Sequence, residues 1–214
     1  RKIQVMHGRG NWNTKQYRFK YLSGKDFGEK TSFAFRSSAI DSDGYRKEHG
    51  SMQRSAFIGF EHRGDIVKNQ LRAIIGYENT QLTWDGISKE DIEDNEKRRM
   101  GYKAYTDDFL QQICSLNSTI TLNNNLSFRN VSYLVMGKGY YEVFKQDQDF
   151  YSYNLDINNV FTDAEEQTQS TDLLRRKWID NNYYGIVPVL TYMNNSFRAD
   201  FGGEFRKYTG DHYG

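Results

Sequence analysis

A single cysteine, Cys114, stands in the whole chain, so no disulfide can form within it. It falls in an apolar register and reads as a packing residue. Proline is as scarce: Pro188 is the only one in 214 residues, against a usual share of roughly 5%. No stretch approaches the ~18 consecutive apolar residues that a membrane-crossing helix requires. Hydrophobic content is 37%, below the roughly 45–50% of soluble domains, which argues against a helical core. An excess of charge is missing too. The 29 basic and 28 acidic residues leave a net +1, which gives no electrostatic case for a nucleic-acid partner. The longest basic cluster, Arg175-Arg176-Lys177, reads as solvated surface. The chain opens at Arg1 with neither Met nor a signal peptide. The expectation is an internal piece of a longer protein, or a mature product.

Signatures of chemistry are absent as well. Ser, His and Asp occur, but without a nucleophile elbow or any other catalytic motif, and no enzyme is expected. His7, His49, His62 and His212 lie far apart and in no metal-ligand spacing. The acidic run Glu90, Asp91, Glu93, Asp94, Glu96 lacks the spacing of a calcium loop. Gly137-Lys138-Gly139 is too short for a phosphate cradle. No metal and no cofactor are expected.

What the chain has is aromatics, at 15% with 16 Tyr and 14 Phe, and a rhythm. Alternating apolar and polar residues recur in eight runs, with boundaries good to about two to four residues: 16–22, 31–40, 51–62, 69–83, 109–122, 126–137, 177–192 and 197–208. The fourth is the clearest. Leu71, Ala73, Ile75 and Tyr77 share one face; Arg72, Ile74, Gly76 and Glu78 share the other. Period two over this length means a sheet with one apolar and one mostly polar side. In water the apolar side would be core; in a membrane barrel it would face lipid, and the polar side would line the lumen. Periodicity alone does not choose. The connections do. Short turns rich in Gly and Asn (23–30, from Arg63, 123–125, 193–196) alternate with longer polar loops, of which 84–108 and 139–174 are the longest. Long structureless connections are unusual in a compact soluble domain and normal at one end of an antiparallel transmembrane β-barrel. Lys89–Arg99 is dense in charge and suits a short helix. Pro188, inside the seventh run, predicts a local bulge.

Several segments carry a family resemblance. Thr83-Trp84-Asp85-Gly86-Ile87 opens a long loop, and Tyr105-Thr106-Asp107-Asp108 re-enters a strand. Gly137-Lys138-Gly139-Tyr140-Tyr141-Glu142-Val143-Phe144-Lys145 follows. Then come Asp172-Leu173-Leu174-Arg175-Arg176-Lys177-Trp178-Ile179-Asp180-Asn181 and, last, Thr209-Gly210-Asp211-His212-Tyr213-Gly214. In order and spacing they resemble the middle of the β-barrel of TonB-dependent outer-membrane receptors of the Bacteroidetes type. The resemblance implies an all-β fold in which these eight strands belong to a 22-stranded barrel, with short periplasmic turns and long extracellular loops. Residues 1–214 would be a single partial barrel domain without the plug domain or the closing strands. It implies energy-coupled uptake of a large, scarce nutrient such as an iron–siderophore complex. The partners would be that ligand, outer-membrane lipid, and the TonB complex through an N-terminal region that this chain does not contain. Trp84, Tyr102, Tyr105, Tyr140 and Tyr141, with Tyr151 and Tyr153, lie in or beside the long loops and become candidates for stacking on a ligand at the extracellular mouth. The competing reading of these aromatics is an interfacial girdle, or packing of the loops together. Two other readings of the chain stay open: a small, complete eight-stranded outer-membrane barrel of structural or adhesive role, and a secreted β-sandwich that binds glycans.

Overall fold

A computed structural model describes residues 1–83, 86–100, 105–154 and 170–214. Every described strand joins one antiparallel sheet, and almost every neighbour in sequence is a neighbour in space. The strands are β1 (Lys2–Arg9), β2 (Lys15–Leu22), β3 (Thr31–Ser42), β4 (Ser51–Arg63), β5 (Val67–Leu82), β6 (Tyr105–Thr121), β7 (Leu126–Asp149), β8 (Ser170–Met193), β9 (Arg198–Gly202) and β10 (Phe205–Tyr213). The strands pair in that order through β8, and both β9 and β10 pair with β8. The sheet is open: β1 and β10 are its edges and do not pair with each other. That geometry departs from a closed eight-stranded barrel, and the described residues hold no second sheet, as a sandwich would require.

Local chemistry explains the hairpins. Asn123 accepts the backbone N–H of Asn125 on its side-chain oxygen at 2.9 Å. Asn194 does the same for Ser196 and Phe197, at 2.9 and 2.8 Å. Such Asx turns bend the chain without a partner strand. Connections 23–30, 64–66, 122–125 and 194–197 all lie at one end of the sheet, and the strand ends joined by the long connections, Leu82 to Tyr105 and Asp149 to Ser170, lie at the other. Inside the first of these sits the short helix α1 (Asn95–Met100). Asp94 caps it, accepting the N–H groups of Glu96 and Lys97 at 2.9 and 3.1 Å.

Four differences from the sequence expectation have physical causes. β1 is a strand that the weak alternation of Lys2–Arg9 concealed. It pairs with β2 along its length, so residues 16–22 are not an edge. β6 begins at Tyr105. β7 and β8 run past the expected boundaries: of the loop placed at 139–174, residues 139–149 and 170–174 are strand. Amphipathic cross-strand pairs extend that ladder: Tyr140 opposite Trp178, and Glu142 opposite Arg176. The irregularity expected at Pro188 falls on the neighbouring chain. Pro188 keeps its register with Asn130 on β7, while β9 stops at Gly202 and β10 starts at Phe205 opposite Ile186. Proline has no N–H to give to that side.

Register assigns every side chain to a face. Directly opposed residues Val5, Phe19, Ser37, Ala56, Ile75, Gln112 and Met136 run across one side. With Phe35, Ile58, Leu71, Leu116, Leu134 and Ile186 they make it apolar. Toward the long-connection end this band stops at an aromatic row, Tyr140, Trp178 and Tyr213, in register with Asn79 and Asp108. The Trp178 and Tyr213 rings stack at 6.0 Å, and Tyr140 and Trp178 meet at 4.5 Å. The opposite face is mixed. It carries Arg18, Lys20, Arg36, Arg72 and Arg129. It also carries one apolar row at mid-height, Phe57, Ile74, Ile113 and Val135, that leads to Tyr183. Nothing described packs over either face. Phe150 is the one hydrophobic side chain buried among the described residues, so the sheet is a single layer with no core of its own.

Candidate functional site

The mixed face ends, beside the long connections, in a cavity of about 810 Å³, within the roughly 300–1,000 Å³ of ordinary ligand pockets. Strand register builds it. Asp107 on β6, Tyr141 on β7 and Lys177 on β8 lie side by side. The next row down is Phe109, Gly139, Ile179 and His212. Glycine serves here by close approach: a Cβ on Gly139 would sit 2.7 Å from the Phe109 ring. The 3-10 turn Phe150–Tyr153 closes the cavity from the β7 side. Asp149 caps that turn by accepting the Tyr151 N–H at 2.9 Å, and the left-handed Asn154 ends it. Tyr153 points its hydroxyl at Gln148 Oε1, 2.9 Å away, which fixes the ring at the cavity wall.

The electrostatics are cationic and aromatic. Lys177 Nζ lies 5.9 Å from the centroid of the Tyr141 ring, within cation–π range. Arg175 Nε is buried without a hydrogen-bond partner among the described residues. Asp107 sits one residue beyond the apolar band. Burial pushes its carboxyl up from the ordinary value, and the charge of Asp108 adds to the shift. The cavity therefore presents two cations, Arg175 and Lys177, beside the carboxyl of Asp107. Such a lining favours a planar, electron-rich, anionic guest, held by ring stacking and charge. Among the described residues no three His, Cys, Asp or Glu side chains converge on a metal position.

The candidate residues divide accordingly. Tyr141 and Tyr153 line the cavity. Tyr140 borders it, but its register turns the ring to the apolar face. There it meets Trp178, and Arg176 Cζ lies 4.6 Å from its centroid. Tyr105 shares the mixed face, opposite Leu82, and does not line the cavity. Tyr151 is exposed and also stays outside. Trp84 and Tyr102 lie outside the described residues. Arg175 and Lys177 were missed as site residues because their run reads as surface. The alternation of β8 splits it: Arg175 and Lys177 turn to the cavity, while Arg176 turns to the other face. There Glu142 accepts its Nε at 3.0 Å and the Thr106 N–H at 3.1 Å, tying β6, β7 and β8 together.

No family model matches the sequence, and a search of curated proteins finds no match. Solved structures do match. The ferric-catecholate import receptor Fiu from E. coli K12, in its closed form, superposes with a TM-score of 0.71 at 13% identity over 99% of this chain and 32% of the receptor. Its open form gives 0.67 at 12% identity, over 99% and 35%. At this identity the shared feature is the fold: an open, antiparallel segment of a receptor's β-barrel wall. The chain spans about a third of the length of the receptors it resembles.

Proposed function

We propose that this chain is one stretch of the barrel wall of a TonB-dependent outer-membrane receptor that imports a ferric chelate, with residues 1–214 forming a single partial domain. The observation that carries this reading is the uncovered apolar face. Val5, Ile75 and Phe201 are 74, 44 and 82% exposed, on a single layer with nothing packed against it. A patch of that extent needs an apolar solvent, and a sheet can stand in lipid when it is part of a closed barrel. The band's height agrees. Val67 to Asn79 covers about 41 Å along β5 at ~3.4 Å per residue, or about 29 Å along the membrane normal at a tilt of ~45°. The apolar face then meets lipid, the mixed face lines the lumen, and the long connections stand outside the cell. A TonB complex would act through an N-terminal region beyond this chain. The Bacteroidetes-type affiliation belongs to the same reading and rests on the segments quoted from the sequence.

The cavity fits the import of a catecholate or a similarly anionic, aromatic chelate: Arg175 and Lys177 attract its charge, and Tyr141 and Tyr153 stack on its rings. The chemistry is binding and gated passage, with no bond made or broken. The test uses the full-length protein. A ferric catecholate is titrated against wild type and the Arg175→Gln/Lys177→Gln double variant, and cells are grown with that complex as their iron source. Binding weakened at least tenfold in the double variant, about 1.4 kcal/mol, with slower growth, supports the reading. Wild-type protein that inserts correctly yet binds no ferric chelate would overturn it.

A further inference from the structure

The apolar face carries a groove that the import reading does not use. It is an indentation of about 540 Å³ on the opposite side of the sheet from the cavity. Its floor is made of small side chains, Ser37 and Ala39 on β3 and Ala56 on β4. Tyr17 and Phe19 on β2 form one wall, and Ile75 and Tyr77 on β5 form the other. The floor side chains are shorter than their neighbours in every direction along this face: Phe35 and Ile58 close the lower end by register, and Arg54 stands at the upper end. The rim beyond is cationic. Arg9, Lys15 and Asp41 lie side by side on the same face, and Arg54 Nη2 donates to Asp41 at 2.7 Å. Arg9, Lys15 and Arg54 therefore face Asp41, already paired with Arg54, at the end of the groove nearest the long connections; Asp108, which accepts the Tyr77 hydroxyl at 2.8 Å, stands at the far corner.

We infer that this groove is a specific lipid site: one acyl chain of an outer-leaflet lipid lies along Ser37, Ala39 and Ala56, and its phosphoryl headgroup sits against Arg9 and Lys15. The inference rests on the membrane placement proposed above. The groove is continuous with the band that faces lipid, so acyl chains are the occupants already present at high concentration. The walls run along the strands, so a chain entering from the headgroup level lies in the groove at the strands' own tilt. The rim supplies the charge that such a headgroup lacks. Aromatic walls add contact area at little entropic cost.

The full-length protein is reconstituted in phosphatidylcholine vesicles doped with phosphatidic acid carrying a diazirine on its acyl chain. After irradiation, adducts are mapped by mass spectrometry. Leu134 and Met136 on β7, on the same face and in the same register rows as Ile58 and Ala56, are the reference. Adducts on the groove strands should exceed the reference about tenfold, a preference of about 1.4 kcal/mol. Filling the floor with Ala39→Leu/Ala56→Leu should bring the ratio to unity while the heat-modifiable gel shift shows that the barrel still assembles. Arg9→Gln/Lys15→Gln should make phosphatidic acid and a diazirine phosphatidylcholine label equally. Three results would each overturn the site: equal labelling of groove and reference, labelling unchanged by the filled floor, or wild-type labelling equal for the two lipids. Labelling of β7 without the groove would show that a second copy of the protein covers it, and would overturn it too. No adducts at either place would instead refute the membrane placement.

Discussion

Replacing Ile75 by Arg tests the assignment of faces on which the reading of this chain depends. Ile75 is 44% exposed, with Ala56 and Gln112 directly opposite on its two sides. It lies four positions from Asn79, the level of the aromatic row, which places it about 10 Å beneath a boundary roughly 14 Å from the midplane. An arginine on the lipid side costs about 2–4 kcal/mol at the midplane and about 0–1 kcal/mol near the interface. At this depth about 2–3 kcal/mol follows, a fall of roughly 30- to 140-fold in the folded-to-unfolded ratio. Arg72, three positions away on the mixed face, pairs laterally with Gly59 and Ser115; Arg72→Gln leaves a polar group facing water and should cost within about 0.5 kcal/mol. Urea titration of the full-length protein in vesicles, followed by the heat-modifiable gel shift, measures both. Equal losses, or a larger loss for Arg72→Gln, would mean that the two faces have been exchanged or that neither meets lipid.

Other outcomes follow from the same structure. In a Cys114→Ala background, Cys at Asn95 in α1 should react with an impermeant thiol reagent on whole cells, and Cys at Asn124 in a short turn should not; the reverse would invert the topology. Residues 1–214 expressed alone should aggregate in water and give no heat-resistant form in vesicles, because β1 and β10 expose unpaired backbone groups that cost several kcal/mol each in lipid; a monodisperse, heat-modifiable monomer would show that the sheet closes by itself. At the short-turn end, Lys30 Nζ donates to Asp65 at 2.8 Å and holds its carboxyl below the ordinary value. A carboxyl depressed in the folded state gives stability that is present above its unfolded pKa and lost as pH falls through the folded one. Lys30→Met should therefore differ from wild type at neutral pH and converge with it in acid, and a difference that grows on acidification would refute the pairing.

The parts of the fold that the sequence made legible are those where chemistry is local. Leu71, Ala73, Ile75 and Tyr77 announce a two-sided strand because period two needs no knowledge of partners, and Asn123 and Asn194 announce turns because their own side chains close them. β1 was illegible because Met6 and Gly8 blur its alternation, and only the pairing with β2 makes it a strand. The extensions of β7 and β8 were illegible for a similar reason. Glu142 and Arg176 look like loop residues until they meet across the ladder. The candidate site was half legible: aromatic content pointed to Tyr141, but whether a tyrosine faces the cavity or, like Tyr140, the other side depends on register, which shifts by one residue at no compositional cost.

The apolar row at mid-height on the mixed face, Phe57, Ile74, Ile113 and Val135, has a consequence for anything that moves past it. Over these neighbouring strands a travelling polar solute finds no donor or acceptor, and water there is held only by water. Lys20 and Arg36 continue the row on one flank, and Tyr183 and Tyr208 continue it on the other. On the proposed reading, in which this face lines a lumen, the wall would be divided into lanes: a waxy strip in the middle that repels hydrated ions, a charged lane along β2 and β3 that attracts anions, and a phenolic lane where Tyr183 and Tyr208 lie side by side on β8 and β10.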